Sequence, residues 1–181
     1  MHENPVDVLR PLRATRQFRE FTSEAVERVA LDAIADVARW SGSSRNTQPW
    51  RFVVVTDEGT IRRIAEIGLP QTRALRTATA AIAIVLPEDE RHELGLAYDE
   101  GRAAERILIA AGLINLGAGI AWIRFDVRAG VRGILGLPDD RYVRTVVALG
   151  HPTGAAREPK SKPGQARLPR DETVFEERWP G

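Results

Sequence analysis

A chain of 181 residues, 43% hydrophobic and 28% charged, can bury a sizeable core and fits one domain over 1–181. The net charge of +1 argues against a nucleic-acid footprint, and the absence of cysteine excludes disulfides, thiolate metal sites and a cysteine nucleophile. No apolar run approaches the ~20 residues of a bilayer span and no hydrophobic leader follows Met1, so no membrane contact and a cytoplasmic setting are expected.

In chain order, Val8, Leu9 and Leu12 fall at helical spacing over 6–13. Arg10, Arg13, Arg16 and Arg19 then recur every third position, either as a solvated face or as an anion clamp of bidentate guanidinium groups. Of the 26 basic residues only Lys160 and Lys162 are lysine. Arginine suits phosphate and planar partners, although a coding bias would give the same count. Thr22 or Ser23 is expected to cap a helix with Glu24 in its first turn. Val26, Val29, Ala30, Ala33, Ile34, Val37 and Ala38 form its apolar stripe, and Gly42 takes the place of a C-terminal glycine.

The octet Ser43-Ser44-Arg45-Asn46-Thr47-Gln48-Pro49-Trp50 is a loop pinned between that helix and a valine-rich strand at 51–56. Pro49 is expected to hold Gln48 extended, while Ser43, Ser44, Asn46 and Gln48 offer short hydroxyls and amides to a polar planar ligand. A capped loop entering a sheet is the plainer account. A turn at 57–60, a helix at 61–67, a break at Leu69-Pro70-Gln71, a short helix at 72–77 and a strand at 80–86 buried on both faces follow.

From 92 to 116 the pattern is helical, with Leu94, Tyr98, Ala104, Ile107, Leu108, Ala111 and Ile114 on one side and Ala97, Ala103, Ala110 and Gly112 on another. Such a helix is either core or shared between subunits. Gly117-Ala118-Gly119 ends it; a dinucleotide fingerprint needs a preceding strand and a third glycine, and has neither here. A strand at 120–125, a helix at 127–135 closed by Gly136-Leu137-Pro138 and a strand at 142–149 complete the order. The tail from Thr153 to Pro169 has no core-forming character and must lie against something.

His2, His92 and His151 have no partner at metal-ligand spacing, and neither a G-x-S-x-G elbow nor a P-loop occurs, so no metal is expected. Asp99-Glu100 and Asp139-Asp140 read as capping and solvated pairs.

The stretch S-S-x-N-x-Q-P-W-x-F ahead of a valine-rich strand resembles the signature loop of the FMN-dependent nitroreductase family. Arg13, Arg16 and Phe18 are similar to that family's opening R-x-S-x-[RK]-x-F turn, with Ala14 in place of serine. Trp122-Ile123, the run L-G-L-P before the last strand, A-L-G-H-P after it, and Arg167-Leu168-Pro169 extend the resemblance from Arg13 to Trp179. It implies an α+β fold with a central mixed, mostly antiparallel sheet flanked by helices, and a homodimer in which the extended tail at 153–181 wraps the partner subunit. It implies FMN held by Arg13, Ala14, Arg16, Ser43, Ser44, Asn46, Gln48, Ile123, Arg124 and Arg167. Gln165 replaces a phosphate lysine, for which Lys160 or Lys162 would substitute, and Arg124-Phe125 replaces small residues beside the flavin. The implied reaction passes electrons from NAD(P)H to an electron-poor acceptor such as a nitroaromatic or quinone, with Arg16 stabilising the reduced flavin electrostatically. Flavin breakdown, reductive dehalogenation and non-catalytic flavin binding are the alternatives.

Overall fold

The computed structural model describes residues 4–162 and 164–179; His2, on which one of the readings above falls, and residues 180–181 of the tail lie outside them. Two short helices, α1 (Pro5–Val8) and α2 (Arg10–Ala14), replace the continuous helix expected at 6–13. Pro5 and Pro11 each start one, where a missing N–H costs nothing. Helix α3 (Arg28–Arg39) begins after Glu27 rather than at Thr22 or Ser23, because residues 17–22 are committed to the edge of the sheet. There follow β1 (Arg51–Val55), α4 (Glu58–Gly68), β2 (Ala80–Pro87), α5 (Glu93–Leu113), β3 (Gly117–Trp122), α6 (Arg128–Leu135), β4 (Arg141–Gly150) and α7 (Gly154–Arg157).

The four strands run in the order β1-β2-β4-β3, and every ladder is antiparallel. The mixed character expected of the sheet is confined to one isolated parallel bridge, Gln17 with Ala118. Strands β2 and β4 lie in the middle and are buried almost throughout. Their side chains alternate between two apolar clusters. On one face Ile82, Ile84, Leu86, Val147 and Leu149 pack against α3 and α5. On the other Ala81, Ala83, Val85, Val146 and Ala148 pack against α4 and α6. Each fully buried Ile or Leu contributes about 1.5–3 kcal/mol, so these alternating positions set which helix covers which face.

Helical phase departs from the simple stripes. In α3 the buried positions are Leu31, Ile34 and Ala38, while Val29 and Val37 are exposed. In α5 Leu96, Ala103, Ala104, Ile107, Leu108 and Ala111 are buried, and Leu94 and Tyr98 point outward. Asp99 and Glu100, expected at the start of a helix, sit inside it, two turns from its start, and are only 4% and 3% exposed. Glu100 accepts a 2.7 Å hydrogen bond from Arg144 Nε on β4, and Trp122 and Tyr142 flank that guanidinium at 5.9 Å. A buried pair of this kind is worth little against an apolar substitute, but losing one partner strands a charge.

Gly117 and Gly119 do not end the preceding helix, which stops at Leu113; both lie within β3. The reason is close approach. A Cβ at Gly117 would meet Pro152 Cγ at 2.4 Å, and one at Gly119 would meet the Phe18 carbonyl oxygen at 2.0 Å. Segment 17–21 thereby covers the free edge of β3. Phe18 N donates to Ala118 O at 2.8 Å, Ile120 N donates to Gln17 Oε1 at 3.1 Å, and Thr22 N donates to His151 O at 2.8 Å. An exposed edge would template aggregation, and this strap removes it. The Arg102 guanidinium lies over Gly42, but as the end of a flexible side chain it could shift away from a Cβ there.

Gly119→Ala is expected to force the strap off β3 and cost about 1–3 kcal/mol, the usual penalty of overpacking. Gly133→Ala, in open space on α6, should instead stabilise by about 0.5–1 kcal/mol. Denaturant unfolding of the two variants checks both signs.

Candidate functional site

The strap delivers the basic turn to the tail. The Arg16 guanidinium lies 4.9 Å from the Phe18 ring centroid and donates to the carbonyls of Ala156, Arg157 and Glu158. Those are the last carbonyls of α7, where a cation is favoured by charge and by unpaired acceptors. Thr153 caps the other end of α7 by accepting from Ala156 N at 3.1 Å. One arginine thus ties the start of the chain to a segment about 140 residues later. Between the two lies a cavity of about 670 Å³ lined by Arg13, Ala14, Arg16, Lys160 and Arg167 among others. Glu105 and Glu158 are the carboxylates along its wall. The cavity size suits a bound cofactor or substrate, and its fork-shaped donors suit phosphate.

The octet loop lines no part of that cavity. Gln48 lines a separate one of about 410 Å³ with Asp32, Asp36 and Trp50. Within the loop, Ser44–Asn46 forms a 3-10 turn, Ser43 Oγ accepts from Gln48 N at 2.9 Å, and Gln48 Nε2 donates to Asn46 Oδ1 at 3.1 Å. Gln48 is not extended: its φ is 48°, and Arg45 and Asn46 stand at 51° and 56°. Left-handed backbone costs non-glycine residues on the order of 1–2 kcal/mol each. Tertiary contacts hold it in place. Ser44 N donates to both carboxylate oxygens of Asp99, at 3.2 and 3.1 Å, and Arg51 Nη1 donates to Gln48 O at 3.0 Å. The buried Asp99 is therefore a brace for the loop, and Ser44, Asn46 and Gln48 stay exposed.

Ile123 is fully buried in the α4/α6 cluster, so only its backbone can meet a ligand. Arg124 turns toward the 69–71 loop. Its Nη1 donates to Leu69 O at 3.0 Å, and its Nε and Nη2 hold Asp126 in a fork at 3.0 and 2.8 Å. Phe125 beside it is exposed. Among the described residues no three His, Asp or Glu side chains form a metal cage, and no helix is long and apolar enough to cross a membrane. Arg144, Glu100 and Asp99 escaped sequence reasoning. The signal was present: a charge inside an apolar strand, and two carboxylates inside an apolar helix.

The hydrogen bond from Arg124, followed by its charge, holds the Asp126 carboxyl below the ordinary aspartate value of 3.8. A depressed folded value means the pair contributes fully above that pH and is lost as the pH falls through the folded value. Carboxyl NMR titration should place the Asp126 midpoint below 3.8, and Arg124→Ala should return it toward 3.8.

The family model described as Nitroreductase family matches residues 12–78, from the end of α2 to the approach of β2. A protein of Archaeoglobus fulgidus, provisionally named an NADH dehydrogenase/NAD(P)H nitroreductase, is 28% identical over 152 residues, covering 81% of this chain and 86% of its own. A crystal structure from Parabacteroides distasonis with the same provisional name superposes at a TM-score of 0.79 with 25% identity, over 98% of this chain and 100% of that one. The NADPH:FMN oxidoreductase of Vibrio harveyi superposes at 0.79 with 23% identity, over 97% and 79%, and shares the fold. The segment matched by the family model carries the strap, the octet loop and the first strand of the sheet, and the solved structures share the fold over the rest: this chain is similar to the nitroreductase family.

Proposed function

We propose that the chain is a flavin-dependent oxidoreductase that takes electrons from NAD(P)H and passes them to an electron-poor acceptor such as a nitroaromatic or quinone. The observation that carries this reading is the cationic cavity in which Arg13 and Arg16 meet Lys160 and Arg167. Those residues fit FMN, with Arg167 and Lys160 toward its phosphate and Arg16 toward its polar ring edge. Lys160, a lining residue where Lys162 is not, would stand for the lysine that Gln165 lacks. FMN would supply hydride acceptance and electron delivery. The protein's share is binding, orientation and charge: a fixed guanidinium favours negative charge on the ring. The relatives' names as NAD(P)H nitroreductases and NADPH:FMN oxidoreductase support the same reading.

A homodimer belongs to this proposal. In one chain the octet loop and the basic cavity are separate, and a second copy would complete the site. Large apolar side chains left outside in one chain support it: Val8, Leu9 and Leu12 near the start, Leu94, Tyr98 and Leu113 along α5, and Trp40. Large apolar side chains left exposed in this number suit an interface, and two-fold dimers are the commonest assembly. On this reading residues 1–181 act as one flavin-binding unit, with the tail from 153 shared between subunits.

The purified protein should be yellow, carry FMN, sediment as a dimer and bleach under NADH or NADPH without oxygen. A colourless protein that takes up no FMN at micromolar concentration overturns the reading, and a yellow protein that neither nucleotide bleaches is a silent flavin binder. Potentiometry separates the two arginines. Arg16→Ala should lower the bound cofactor's reduction potential, whereas Arg167→Ala should weaken FMN binding at nearly constant potential. Each loss is on the scale of a charge-assisted hydrogen bond, roughly 1.5–3 kcal/mol.

A further inference from the structure

Beside the large cavity, and sharing Lys160 with it, is a second cavity of about 400 Å³ lined by Arg19, Glu20, Arg73, Arg76, Thr77 and Lys160. Eight other arginines make ion pairs with carboxylates. Among the described residues none of Arg19, Arg73, Arg76 and Lys160 does so. Four cations thus share one concavity with a single carboxylate, Glu20. Such a cleft concentrates positive potential and draws anions.

The cations stand on fixed backbone. Arg73 and Arg76 belong to a 3-10 turn, Arg73–Arg76, in which residues three apart eclipse, so both leave the same edge. The turn is anchored through Ala74 and Leu75, both buried, and through Arg62 Nη1, which donates to Leu75 O at 2.7 Å and Ala78 O at 2.8 Å. Thr72 Oγ1 donates to Ala65 O at 2.6 Å just before it. The strap carrying Arg19 is tied to the same turn, since Phe21 N donates to Thr77 Oγ1 at 3.1 Å. Two guanidinium forks on one edge with a third beside them match the oxygens of a phosphate monoester.

We propose that this pocket is a subsite for a phosphate monoester dianion, and that its occupant is the 2′-phosphate of NADPH. It would then make the enzyme prefer NADPH to NADH. The inference rests on the reading of the larger cavity as a flavin site fed by a nicotinamide dinucleotide. Lys160 lines both cavities, and the 2′-phosphate is the one group that distinguishes the two reductants. A free inorganic phosphate has the same chemistry, and the measurements below tell the sources apart.

The test compares wild type with Arg73→Ala/Arg76→Ala and Arg73→Gln/Arg76→Gln, which alter only exposed side chains. Reduction of the bound flavin is followed with NADPH and NADH, and binding of 2′,5′-ADP, 5′-AMP and inorganic phosphate is measured by calorimetry. Loss of one or two charge-assisted hydrogen bonds should lower the NADPH to NADH ratio of kcat/KM by about 10- to 100-fold, with flavin content unchanged. Binding of 2′,5′-ADP should fall by a similar factor and 5′-AMP by little. Glu20→Gln should move the ratio the other way. Equal losses with both dinucleotides, an unchanged ratio, loss of flavin from the double variant, or a wild type that binds inorganic phosphate as tightly as 2′,5′-ADP would each overturn the proposal. The calorimetry stands apart from the flavin: a colourless protein that binds 2′,5′-ADP through Arg73 and Arg76 refutes the reductase reading and keeps the subsite.

Discussion

Everything functional in this chain hangs on the docking of residues 17–21 against the free edge of β3. One parallel bridge and a few backbone hydrogen bonds hold the strap down. They can form only because Gly117 and Gly119 have no Cβ to keep Pro152 and Phe18 away. The contact closes the sheet edge and, in the same stroke, aims Arg13, Arg16 and Arg19 at the region where the tail returns. Arg16 then captures the end of α7, which builds the far wall of the basic cavity. Were the strap displaced by one side chain, three arginines and two cavities would lose their common frame.

The long helix α5 is the second organiser. Twenty-one residues at about 1.5 Å each span roughly 30 Å, enough to touch both candidate regions at once. Asp99 in its first third braces the backbone of the octet loop, whereas Glu105, Leu108 and Gly112 line the cavities beneath the basic turn. Its charges are spent inward. Glu100 meets Arg144 in the core, where a lone charge would cost several kcal/mol, so the pairing locks α5 in register with β4. The left-handed residues of the octet loop persist for a related reason: Asp99 and Arg51 hold from outside what the loop's own backbone preferences would not.

Charge is distributed by the same logic. Some arginines on exposed helix faces are neutralised by neighbours three or four residues away, as in Arg28 with Asp32 and Arg39 with Asp36, and such pairs are worth little. Among the described residues the arginines that line the two basic cavities make no ion pair with a carboxylate. A net charge of +1 conceals this separation, because it averages a neutral shell with a cationic pair of pockets.

Periodicity alone determined the order of helices and strands. Valine and alanine runs at 51–56, 80–86 and 142–149 read as strands, and the loop motif with the basic turn carried the resemblance to the nitroreductases. Local patterns depend on nearest neighbours along the chain, which a reader of sequence can see. What tertiary structure decided was everything set by approach between distant segments. The glycines at 117 and 119 look like a helix stop until Pro152 and Phe18 are seen above them. Asp99 and Glu100 look like a solvated pair until the octet loop and Arg144 arrive. Val29, Val37, Leu94 and Tyr98 look like core until the helices are seen rotated to bury Leu31, Leu96 and Ala103 instead. In each case the deciding partner lies far away in the chain, and a side chain's burial is fixed by that partner rather than by the residues on either side.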